Sequence, residues 1–261
     1  MSDAWAALRD GARRVNGAPA ILFGAWALLV AAILQTRVAL HVPAGVAVLW
    51  VREMLTSATD APAAVLLHAT TAEAVAIACS AILAWLFITG GILDRFARDR
   101  AVRSFGFFGV SGACFFRFLR LAAVQAVVYR LAFVDARIPA ALVIGACSIV
   151  ADYARVRAVV EDRRSMLGAV LAAAAFIWRN IGAVAVLFAI EYAIVRAAAE
   201  VLALWADTAT LAASMLAAVW LKLLMWASET ALFQRRLAHA GYVARPEPAW
   251  PESPAAEAIT G

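Results

Sequence analysis

The sequence predicts an all-α fold: a polytopic transmembrane helix bundle of about six spans, with interfacial helices beside them. Three observations carry this. Of 261 residues, 65% are hydrophobic and only 16% charged, with a mean hydropathy of +0.84, well above the range of soluble domains. The apolar residues, chiefly Ala, Leu and Val, gather in long blocks and do not alternate as they do in an outer-membrane barrel. The cations, nearly all arginine, sit in short clusters between those blocks, as topology signals do.

The first apolar block, 18–41, follows Arg9, Arg13 and Arg14 and superficially resembles a signal sequence. It is long enough to cross a bilayer and lacks a small-residue cleavage site after it, so it reads as an uncleaved first helix. Residues 45–68 mix Val48, Val51 and Leu55 at helical spacing with Arg52, Glu53 and Asp60, which predicts an outer amphipathic loop. Blocks 71–93 and 110–134 are the second and third spans. The fourth, 138–152, is short: it reaches Asp152 after about fourteen apolar residues, so crossing requires tilt or a thinned bilayer. A five-span protein with a re-entrant fourth block is the alternative. Residues 165–180 end in Trp178 and Arg179 and suit an inner interfacial helix that turns into the fifth span, 180–204. The sixth is 211–233. Residues 1–236 thus form a single transmembrane domain, and 237–261, with four of the eight prolines, read as a disordered cytoplasmic tail.

Orientation follows from the cations between blocks. With the N-terminus inside, the inner segments hold fifteen Arg and the outer ones only Arg37, Arg52 and Arg137. This predicts a multi-pass protein of a bacterial inner membrane with both termini cytoplasmic.

A charge at the centre of a membrane helix costs about 2.5 to 3.5 kcal/mol on insertion scales, so each one demands a partner or an aqueous cavity. Lys222 is the chain's single lysine and lies among Val, Trp, Leu and Met, about eleven residues into the sixth block. Glu191 lies about as far into the fifth. The short WADTAT connection makes these blocks antiparallel neighbours, which predicts a Glu191–Lys222 ion pair near midplane. Lysine suits that role because it can lose its proton when buried, as arginine effectively cannot. Glu229 is expected to reach Arg117 or Arg120, which share a face of the third span. Arg196 and Glu200 are four apart, and Arg130 could meet Glu200 or Glu73. These charges predict that spans three, five and six are the inner helices. The bland reading is that buried ion pairs only fix helix register; the sharper one is a polar pathway or a lipid headgroup site.

In the loop 151–165, Arg157 and Glu161 are spaced for an internal helical pair, and Arg155, Arg157, Arg163 and Arg164 are expected to meet anionic lipid phosphates or a cytoplasmic partner. The phenylalanines of SFGFFGVSGACFFRF read as lipid-facing packing. Cys79, Cys114 and Cys147 read as small packing residues, and the three histidines lack a metal-ligand pattern. There is no HExxH, glycine-rich phosphate loop, CxxC or GxSxG, so no catalytic residue, metal or cofactor is predicted, and an intramembrane enzyme could assemble only from Glu191, Glu229 and Asp152. Nucleic-acid reading modules are absent, which leaves the lipid bilayer as the expected partner.

The segments GGILDRFARDR, FFRFLRL, DYARVRAVVEDRRSMLGAV and WLKLLMWASETALFQ resemble blocks in a group of uncharacterised polytopic bacterial inner-membrane proteins, over most of residues 5–236. The resemblance implies a multi-span protein with a charged inner loop before the fifth span, and brings no activity with it. The function expected is transport or permease-like, with a polar midplane site; the rival is a non-catalytic structural or accessory envelope protein.

Overall fold

A computed structural model describes residues 2–41, 71–134, 140–163, 165–203 and 208–236. Its described residues form helices and turns, with no strand among them. We number the helices α1 (Ser2–Asn16), α2 (Pro19–Ala39), α3 (Ala72–Arg98), α4 (Ser104–Val134), α5 (Ala140–Val160), α6 (Met166–Arg179), α7 (Ile181–Ala203) and α8 (Thr208–Arg236). The expected outer loop at 45–68 and the tail 237–261 lie outside the described residues, as do the side chains of Arg130 and Arg164.

Five helices, α2, α3, α4, α7 and α8, are long and apolar enough to cross a bilayer, so the chain is a multi-pass integral membrane protein. The expected fourth span is a helix too. It runs past Asp152 to Val160, and the charges of its second half keep it outside those five. Residues 165–180 form the short apolar α6, opened by Ser165, whose hydroxyl accepts from the Gly168 N–H, and closed by Asn180 immediately before α7.

Helix α8 is the axis of the bundle. It is the most buried of the five, with α3 second, and it packs against α1, α2, α3 and α5. The expectation that spans three and five line the interior is therefore corrected: α4 and α7 are peripheral, and Phe105, Phe108 and Phe116 of α4 point outward. The physical reason lies in side-chain size. Helix α3 presents Ala74, Ala78, Ala81, Gly90 and Gly91 inward, and small residues let membrane helices approach closely where no hydrophobic force draws them together. A Cβ added at Gly91 would stand 2.6 Å from the Phe107 ring and the Ser111 hydroxyl, so α3 and α4 touch at that point.

The segment before the first span is itself a helix. Along α1, Ala4, Ala7, Leu8, Gly11 and Val15 fall on one buried face, while Arg9 and Arg13 stay exposed. Asp3 pairs with Arg236, Gly11 presses on Ser228, and Asn16 accepts from the Trp220 indole at 3.0 Å, so α1 runs antiparallel to the last turns of α8. Arg14 fastens this corner: it donates to the Phe96 carbonyl (2.7 Å), to Gln234 (2.8 Å) and to Asp10 (2.8 Å), and thereby joins α1, α3 and α8.

Candidate functional site

Helices α4 and α5 form an antiparallel pair, which sets Gln125 and Tyr129 of α4 opposite Arg155 and Ser148 of α5. From there a continuous polar chain crosses the bundle. The Ser148 and Tyr129 hydroxyls lie 2.7 Å apart, Gln125 donates to Tyr129 (3.3 Å), and Arg155 donates to Gln125 (2.6 Å) and to Asp152 (2.7 Å). Asp152 is the hub. Beyond Arg155 it accepts from the Trp226 indole (3.1 Å) and from the Lys222 ammonium (3.2 Å), and that ammonium also lies 5.0 Å from the centre of the Trp226 ring. Lys222 and Trp226 are four apart on α8 and so share the face that meets α5.

The single lysine is thus in the bundle, but the acid at its head is Asp152, where Glu191 was expected. The reason is packing: α8 packs somewhat more against α5 than against α7, so the short connection from α7 does not by itself decide which faces meet. Glu191 is 2% exposed and meets the Ser228 hydroxyl, while Oε1 has no hydrogen-bond partner and the Lys222 charge acts on it through space. Glu229, 3% exposed, lies within electrostatic reach of Asp152, Glu191, Lys222 and Arg155, and its Oε2 has no hydrogen-bond partner. The buried Tyr153 hydroxyl, close to the same three acids, also lacks one.

The pairing expected for Glu229 is corrected as well. Arg117 reaches the Asp162 carboxylate (3.4 Å) and the Arg163 carbonyl (3.2 Å) at the end of α5, and Arg120 is exposed. Arg155, expected at lipid phosphates, is 1% exposed and belongs to the Asp152 network. Its position on the same helical turn as Asp152, inside the bundle, leaves it no route to the surface. Two local pairs are where their spacing put them: Arg157 with Glu161 (2.9 Å) and Arg196 with Glu200 (2.9 Å). Arg157 also donates to the Ala172 carbonyl of α6 (2.7 Å) and lies over the Phe233 ring, whereas Arg163 is exposed and pairs with Glu161.

Sequence reasoning assigned Gln125, Tyr153 and Trp226 no role in this centre, and it grouped Asp152 with Glu191 and Glu229 only as a set of intramembrane acids, not as the partner of Lys222. The signal for Asp152 was its place at the end of an apolar block, three residues before Arg155; its pairing with Lys222 was not legible, because that depends on which helix α8 packs against. The centre gathers three carboxyl groups, Asp152, Glu191 and Glu229, around two cations, Lys222 and Arg155. Among the described residues no group of His, Cys, Asp and Glu is arranged to hold a metal ion. Compared with family models, with curated proteins and with solved structures, the chain matches none.

Proposed function

We propose that this chain is a transport-type protein of a bacterial inner membrane, with Asp152, Lys222, Glu191 and Glu229 as its polar working centre. The observation that carries the reading is the pair of unpartnered carboxylate oxygens, Glu191 Oε1 and Glu229 Oε2, inside the bundle. A buried acceptor without a partner costs about 1 to 3 kcal/mol, more when charged. A scaffold would shed that cost by substituting apolar residues, whereas a pathway needs acceptors that a passing species can occupy. With three carboxyls to two cations, the centre has one negative charge in excess when all five are ionised. A proton shared among the carboxyls balances it, and proton exchange is the simplest chemistry the arrangement supports. The arginine distribution and the resemblance of DYARVRAVVEDRRS and its companions support the inner membrane, six crossings and cytoplasmic ends.

The scaffold reading has its own support, because Asp152 is fully engaged by Arg155, Trp226 and Lys222. Water access separates the two. Glu191→Cys, made with the three native cysteines replaced by serine, reacts with a membrane-impermeant thiol reagent from one face of the membrane under the transport reading. Failure to label from either face, in protein that retains its fold, leaves the scaffold.

A further inference from the structure

A second feature lies apart from this centre, between α2, α3 and the start of α4. It is a partly open groove of about 630 Å³, lined by apolar groups that include Ile21, Phe87, Ile88 and Phe107. The size is that of a small-molecule site. Its charged lining residue is Arg95, in the last turn of α3. Arg95 donates through Nη2 to the Gly17 carbonyl (3.1 Å), while its buried Nη1 has no hydrogen-bond partner. Protein acids do not supply one. Asp99 is bound by Arg13, and Asp94 by Arg98 at 2.8 Å.

A long apolar trough with one cation at its end matches an amphiphile with an anionic head. We propose that the groove binds a bilayer lipid with an anionic headgroup, an acyl chain lying between α2 and α3 and the phosphate on Arg95. Basic pockets between membrane helices are known to take such headgroups. The apolar lining gives a free phosphate nothing to bury, and a zwitterionic lipid gains less from an unpaired guanidinium N–H. The site stands independently of the transport reading.

The test is thermal unfolding of the full chain, purified in a neutral detergent, with added phosphatidylglycerol, phosphatidylcholine or inorganic phosphate. Phosphatidylglycerol raises the midpoint at lower concentration than phosphatidylcholine, and phosphate alone does nothing. Arg95→Gln weakens the phosphatidylglycerol response about fivefold, the effect of one cation at a membrane surface. Because Arg95 also holds the Gly17 carbonyl, a second variant keeps the test decisive. Gly24 lines the groove, and a Cβ built on it meets no atom within 4 Å, so Gly24→Leu starts in open space, puts its bulk where the acyl chain would lie and favours the helix. This variant folds and loses the response to both lipids. Equal responses to the two lipids in the unmodified protein, a full phosphatidylglycerol response in Gly24→Leu, or a shift with phosphate alone each overturn the proposal.

Discussion

Lys222 shows how much a single residue can and cannot announce. An isolated lysine in an apolar block had to be partnered, because a lone charge there costs about 2.5 to 3.5 kcal/mol, and it is partnered, by Asp152, in a part-buried position. Its partner was illegible, since which acid it meets depends on how α8 rotates and on which helices surround it, neither of which is encoded locally. Asp152 as partner makes a measurable claim. Lys222→Met removes one of the two cations on Asp152 and is expected to cost about 1 to 3 kcal/mol in detergent. Asp152→Asn strips the acid from both Lys222 and Arg155 and is expected to cost about 3 to 5 kcal/mol, with the double variant costing less than the sum of the two. Glu191→Gln combined with Lys222→Met should show coupling of less than about 1 kcal/mol, since those groups do not share a hydrogen bond. Equal coupling in both cycles would mean that the lysine divides its charge between the acids. Trp226→Phe keeps the ring packed on Trp85 at 5.8 Å but removes a donor from Asp152, with an expected loss of about 1.5 to 3 kcal/mol.

At the scale of the element, α1 is what the charge pattern concealed. Arg9, Asp10, Arg13 and Arg14 marked residues 1–17 as an inner topology signal, yet Ala4, Ala7, Leu8, Gly11 and Val15 already carry helical spacing in the sequence. The spans, by contrast, were legible because twenty apolar residues admit few alternatives to a membrane helix. Helix α1 docks through Gly11, where an added Cβ would stand 2.7 Å from the backbone nitrogen of Ser228. Backbone cannot yield as a flexible side chain can. Gly11→Val is therefore expected to cost about 1 to 3 kcal/mol and to expose α1 to proteolysis ahead of the spans. The same helix should answer to acid. Burial raises the Asp10 carboxyl, but hydrogen bonds and charge from Arg13 and Arg14 outweigh it and hold the carboxyl below its ordinary value of 3.8. A group depressed in this way stabilises the docked helix above the unfolded value and ceases to do so as pH falls through the folded one. Cleavage of α1 by an acid-active protease should therefore rise below about pH 4 in the unmodified chain and rise less in Asp10→Asn, where only the Asp3–Arg236 and Arg13–Asp99 pairs remain to be lost. An identical acid response in the variant would assign it to another group.

For the whole molecule, the open question is whether α5 crosses the membrane, and the two ends of the bundle bear on it directly. Asp3 and Arg236 form an ion pair, so the start of α1 and the end of α8 share one face. Among the described residues five helices between them are long and apolar enough to span, and five crossings would set those residues on opposite faces. An even number takes one further crossing, and among the described residues α1, α5 and α6 are the helices left to supply it. Helix α1, at 15 residues, reaches only about 22 Å and carries five charges, Asp3, Arg9, Asp10, Arg13 and Arg14, so it is a poor candidate, and α6, at 14 residues, is shorter still. Helix α5 has 21 residues and reaches about 31 Å, the thickness of a hydrocarbon core. It falls short only in composition, through Asp152, Arg155 and Arg157, and each of those has a partner inside the bundle. Neutralising charge by packing is what allows a helix to cross that a count of its residues alone excludes. Single cysteines at Ser2 and at Arg236, in the cysteine-free background, are therefore expected to react with an impermeant reagent from the same side, the cytoplasmic one by the arginine distribution. Labelling from opposite sides would leave five spans with α5 as a re-entrant segment and would require the Asp3–Arg236 pair to be broken in the membrane.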